Sequence, residues 1–239
     1  MTINEKINTH RKSAIIVGVL FIIATAFLFI GGSFYNPILG SPDYLELAYP
    51  QRITVVIGLL LEFTCVLAIP LIPVVLFPVL RKHNEALAIG YVVFRLFEAV
   101  LFVAVILNKL SLISVSENFL NNGGMDASYF QNYGSSIQAW NDWAWLIYVM
   151  VFTVGALMLY AVLYQSKLIP RFISGWGFVA ALLLLTGIVL NMVEVKLMLP
   201  AGAFELIFAV PIAVQEMVMA GWLVVKGFNS SAIASGSAG

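Results

Sequence analysis

The chain has 239 residues, 62% of them hydrophobic and only 10% charged, against about 25% charged residues in soluble domains. Twelve basic residues balance twelve acidic ones, so no global charge points to nucleic acid or to an acidic partner. A single cysteine, Cys65, excludes an intrachain disulfide and reads as a small buried hydrophobe.

Six apolar runs are long enough to cross a hydrocarbon core, which takes about 20 helical residues. In chain order they cover 13–35, 53–80, 86–107, 140–164, 172–192 and 203–225. None shows the alternation of a membrane barrel, so helices are the economical reading. The expected fold is all-α, a polytopic membrane bundle of six transmembrane helices in a single domain over 1–228.

The first run follows Lys6, Arg11 and Lys12 and contains Ala24-Thr25-Ala26, which resembles a signal-peptide cleavage site. Signal h-regions are about 7–15 residues long, whereas this run persists to Phe34. A retained first helix is expected. The second run carries Pro70, Pro73 and Pro78, each of which removes a backbone donor, so its second half is expected to be kinked or partly unwound. Pro211 should interrupt the sixth helix similarly.

Between the third and fourth runs, residues 108–139 read as an outer loop turning at Asn121-Asn122-Gly123-Gly124. Tyr129, Phe130, Tyr133 and Ile137 fall near one helical face there, as in a short amphipathic helix on the membrane surface. The tail over 229–239, rich in Ser, Ala and Gly, reads as disordered. No three-plus-three repeat is evident.

Orientation follows from basic residues in the connections. With a cytoplasmic N-terminus the inner side holds eight, Lys6, Arg11, Lys12, Arg81, Lys82, Lys167, Arg171 and Lys226, and the outer side three, Arg52, Lys109 and Lys196. Both termini are therefore expected in the cytoplasm. Trp140, Trp143 and Trp145 cluster where the fourth helix would enter from outside, and Trp176 and Trp222 sit near inner ends, as interfacial anchors do.

Arg95 and Glu98 interrupt the third apolar run. A charge at the bilayer centre costs roughly 2.5–3.5 kcal/mol on translocon scales, so such residues face protein or a cavity and pair there. Arg95 lies thirteen residues beyond Lys82, roughly 20 Å along the helix and near the midplane. Tyr91, Arg95, Glu98 and Phe102 share a face, and Arg95 can meet Glu98 directly as an i,i+3 pair. Glu216, ten residues before Lys226, lies at similar depth; Glu62 lies in the outer half, and Glu205 near the outer surface shares a face with Glu216.

Buried charges must be compensated. The second, third and sixth helices are thus expected to pack around Arg95 as a hub, with Glu62, Glu98 and Glu216 as its carboxylates and Tyr91 and Gln215 as polar neighbours. Three carboxylates around one guanidinium would carry net charge minus two, so at least one is expected to be neutral at pH 7.

Walker, G-x-G-x-x-G, H-E-x-x-H and G-x-S-x-G motifs are absent from the sequence. His10 and His83 lie outside the apolar runs and form no metal-ligand pattern; His83 reads as a solvated loop residue. No cofactor or metal is expected. The basic tract Arg81-Lys82-His83 suits contact with anionic headgroups.

Several segments together resemble a bacterial family of integral membrane proteins known only as domain of unknown function number four-three-eight-six. They are Leu80 to Ala88, Tyr91 through Arg95 to Val100, Ser166 to Arg171 with Ser174 to Gly177, and Pro211 through Glu216 and Trp222 to Phe228. Their order and spacing cover about residues 10 to 228. The resemblance implies a six-helix protein of the bacterial cytoplasmic membrane and carries no reaction, substrate or cofactor. Arg95, Glu98 and Glu216 fall in the resembling segments; Glu62 does not.

The favoured expectation is an inner-membrane protein whose buried polar site binds or conducts a small solute, a lipid headgroup or a proton, with membrane lipids as partners and no nucleic acid. Its rival is a structural or interaction protein whose charges only fix helix packing. A metal-independent enzyme acting on lipid is the minor alternative, since carboxylates and an arginine suffice for acid-base chemistry.

Overall fold

The computed structural model describes residues 3–122, 126–193 and 203–235, all helix or turn. The helices are α1 (Ile3–Leu39), α2 (Tyr44–Leu47), α3 (Arg52–Leu80), α4 (Glu85–Asn121), α5 (Ala127–Ser166), α6 (Arg171–Met192), α7 (Ala203–Phe208), α8 (Val210–Val225) and α9 (Ser230–Ser235). Six stretches are long and apolar enough to cross a membrane: His10–Leu39, Arg52–Leu80, Glu85–Asn121, Ala127–Ser166, Arg171–Met192 and Leu206–Val225. Helices are the economical spanning form because each satisfies its own backbone in lipid.

The expected outer loop over 108–139 is instead helix on both sides of a short connection, since α4 runs to Asn121 and α5 begins at Ala127. Its polar residues find partners within the protein, which the loss of hydropathy along the sequence conceals. The Asn108 side chain donates to the Ile137 carbonyl at 2.9 Å, and Ser116 Oγ donates to the Leu45 carbonyl at 2.6 Å while accepting from the Tyr49 amide at 2.9 Å. Tyr129, Phe130 and Tyr133 lie on α5, with Phe130 buried and both tyrosines exposed. Gly123 and Gly124 of the expected turn lie outside the described residues, as does Lys196.

The prolines act differently on the two helices. α3 stays helical through Pro70, Pro73 and Pro78, so of the expected kink or partial unwinding the unwinding does not occur, although each ring removes a backbone donor. The sixth span breaks at Ala209, and Pro211 occupies the first turn of α8, where its missing N–H costs nothing. The expected disordered tail carries α9 over Ser230–Ser235. Asn229 starts it: its amide donates to the Leu168 carbonyl at 2.9 Å, and its Oδ1 accepts from the Ser231 amide at 3.2 Å, as an N-cap does. Residues 236–239 lie outside the described set.

The chain divides into two compact units, Met1–Ile23 with Ala68–Glu98 and Val149–Gly239, and Ala24–Leu67 with Ala99–Tyr148. α1, α3, α4 and α5 each contribute a segment to both. The first unit buries Phe21, Ile72, Leu76, Leu80, Tyr91, Tyr160 and Ile173. Arg11 closes α8 there, donating to the carbonyls of Leu223 at 3.0 Å and Val224 at 2.7 Å, acceptors a helix end otherwise leaves open.

In the second unit α1 and α3 meet at Gly31 and Gly58. A Cβ on either would lie 2.6 Å from the other's carbonyl oxygen, so only glycine permits this approach. Small residues at helix contacts are the usual source of packing energy where lipid tails remove the hydrophobic drive between helices.

Candidate functional site

Arg95 and Glu98 pair inside the first unit. One turn of α4 sets them on the same face, and Arg95 Nη1 donates to Glu98 Oε1 at 2.9 Å and Oε2 at 2.8 Å. Arg95 Nε donates to the Tyr91 hydroxyl at 3.3 Å, one turn back along α4. The side chains are 5% and 1% exposed, so neither charge is hydrated in the ordinary way and each depends on the other.

Aromatic rings surround the guanidinium, with centroids 5.8 Å away for Phe21, 5.7 Å for Tyr91 and 5.4 Å for Phe152. Such faces attract a cation within about 6 Å. Phe21 belongs to α1 and Phe152 to α5, two helices that the sequence had not assigned to the hub.

Glu216 is half-buried on α8, and its charge acts on Arg95, Tyr91 and Tyr160. Gln215 takes another place: its Oε1 accepts from the Tyr160 hydroxyl at 2.5 Å, and its Nε2 donates to the Ile173 carbonyl at 3.0 Å. It thereby joins α8 to α5 and α6, and its polar groups are bonded there. The side chain of Glu205 lies outside the described residues.

Glu62, expected beside Arg95, belongs to the second unit and is paired with Lys109. Lys109 Nζ donates to Glu62 Oε1 at 3.2 Å and Oε2 at 3.1 Å. Tyr35 joins both, its hydroxyl donating to Glu62 Oε1 at 2.5 Å and accepting from Lys109 Nζ at 2.5 Å. The ammonium also lies 4.1 Å from the Tyr35 ring centroid and 5.9 Å from that of Trp145, so Trp145 packs on a charge within the protein. Trp140 and Trp143 are about half exposed, as interfacial anchors would be.

Lys109 was read as an outer-loop charge because the apolar run ends at Leu107. The signal for its burial was periodicity: Phe102, Val105, Lys109, Leu112 and Ser116 recur at alternating steps of three and four, and all are buried. That spacing marks one face of a continuing helix. Among the described residues no group of three His, Cys, Asp or Glu side chains is placed to hold a metal ion.

The arrangement thus offers two kinds of chemistry. The Lys109–Glu62–Tyr35 centre joins an ammonium, a carboxylate and a phenol, whereas the Arg95–Glu98–Tyr91 centre lies along one face of α4. No curated protein and no solved structure matches the chain. The family model described as "Domain of unknown function (DUF4386)" matches residues 16–227, a range that holds both centres. With six helices long and apolar enough to span and a match over most of its length, the chain is a multi-pass helical membrane protein belonging to the DUF4386 family.

Proposed function

We propose that this is a protein of the bacterial cytoplasmic membrane with both termini inside the cell, and that Arg95, Glu98 and Glu216 form an intramembrane site for a proton or small cationic solute. The observation that carries the reading is the Arg95–Glu98 ion pair, its side chains 5% and 1% exposed within a helix long and apolar enough to span. Ionisable side chains at that depth are functional-site candidates by default, because only pairing or a bound charge offsets their cost in lipid. The orientation is supported by the basic residues: with Lys109 buried against Glu62, the outer connections keep only Arg52 and Lys196 against eight inner ones.

The test is proton flux into reconstituted vesicles under an imposed membrane potential, read by a trapped pH dye, for wild type, Glu216→Gln and Glu98→Gln. Glu216→Gln is expected to lose flux while keeping its unfolding profile. Flux unchanged in both variants sinks the proposal. A reporter fused to each terminus checks orientation separately.

A packing role is the second reading, favoured by the completeness of the bonded pairs: Glu98 and Glu62 each accept from a cation on both oxygens. Under that reading no variant alters flux, and the Gln substitutions lower stability alone.

A further inference from the structure

An open pocket of about 420 Å³ lies between the turn joining α5 to α6 and the turn joining α8 to α9, within the first unit. Lys167, Arg171 and Lys226 line it, and no carboxylate does. Among the described residues none of these three cations forms an ion pair. Arg171 is instead held with its guanidinium 5.2 Å from the Tyr164 ring centroid. Three positive residues lining one concavity that no carboxylate lines raise the local potential for an anion.

The remaining lining is apolar. Pro170, Trp222 and Phe228 border the same space, and Trp222 is half-buried at the C-terminal end of α8. A free inorganic anion gains nothing from these surfaces. An amphiphile with a negative head and an apolar body satisfies both halves, and tryptophan at a helix end marks the headgroup level where such a molecule lies. The α6 N-terminus opens nearby without a side-chain cap on Pro170, which adds partial positive charge to the same side.

We propose that this pocket binds the phosphate group of an anionic phospholipid, held by Lys167, Arg171 and Lys226. The site is separate from the Arg95 centre and does not depend on any transport activity.

The experiment is native mass spectrometry of the purified full-length protein in detergent, titrated with phosphatidylglycerol, with phosphatidylcholine, and with inorganic phosphate as competitor. Wild type is compared with the triple variant Lys167→Gln/Arg171→Gln/Lys226→Gln, with Lys226→Gln alone, and with Arg52→Gln, which removes basic charge outside the pocket.

Each basic residue near an anionic surface contributes on the order of fivefold in affinity, so the triple variant is expected to lose at least about tenfold for phosphatidylglycerol. Lys226→Gln should fall by a few-fold, Arg52→Gln should stay near wild type, and phosphatidylcholine should bind weakly throughout. If the triple variant misfolds, Lys226→Gln decides. Equal binding of both lipids, or unchanged phosphatidylglycerol binding in Lys226→Gln and the triple variant, overturns the proposal. Displacement of the lipid by inorganic phosphate at comparable concentration would assign the pocket to the free ion and overturn the lipid assignment.

Discussion

Replacing Lys109 by Met keeps an apolar stem of similar length and removes the cation that bonds both oxygens of Glu62. The pair is separated by 3.1 Å, with side chains 8% and 1% exposed. At that separation and an effective dielectric of about 20, the attraction lost is about 5 kcal/mol. The Tyr35 hydroxyl donates to Glu62 with or without Lys109, so that bond is common to both proteins and offsets none of the loss. Lys109→Met is therefore expected to cost about 3–5 kcal/mol, the range for breaking a buried pair.

Glu62→Gln leaves an ammonium facing a neutral amide and should cost at least as much. The double variant Lys109→Met/Glu62→Gln removes both charges while keeping an acceptor for Tyr35, and should be more stable than either single variant. Reversible unfolding by sodium dodecyl sulfate in mixed micelles, followed by tryptophan fluorescence, gives the four corners of the cycle. Additive single effects, or a Lys109→Met variant within about 1 kcal/mol of wild type, would refute the buried-pair argument.

Gly58→Ala places a Cβ 2.6 Å from the Gly31 carbonyl oxygen and 2.9 Å from Phe34 Cβ; the helices must part, at an expected 1–3 kcal/mol, or about the usual cost of overpacking. Gly221→Ala in α8 meets nothing within 4 Å and should be neutral or slightly stabilising in the same titration, so equal losses in the two variants would contradict the close-approach reading. The His83 imidazole is held below its ordinary value of 6.5, first by burial and then by the Lys82 charge. A group depressed in the folded state adds stability that is full above about 6.5 and is lost as pH falls through the lower folded value. Lys82→Gln should move the imidazole midpoint upward in a proton magnetic resonance titration, and an unmoved midpoint would remove Lys82 as a cause.

Local chemistry was legible where it depended on neighbours along the chain. The six spans follow from runs of apolar residues, because the price of exposing polar groups to lipid is set residue by residue. Arg95 and Glu98 meet as the i,i+3 spacing required, and the Pro211 break fell where the missing donor is tolerated. Helix ends were misread where hydropathy fell before helicity did: beyond Leu107 the chain turns polar while α4 continues to Asn121, its polar groups bonded inside the protein.

Partner choice across helices was not legible. Glu62 could be assigned a depth but not a direction, since the rotation of a uniformly apolar helix leaves no mark in its sequence. Its pairing with Lys109, 47 residues away, was decided by how the helices pack, as was the bond between Gln215 and Tyr160. The sequence by itself determined a six-span helical membrane protein and the Arg95–Glu98 pair, because both rest on interactions within one helix or between helix and lipid. Only the tertiary structure decided which carboxylate meets which cation, because that depends on contacts between helix faces that linear spacing does not encode.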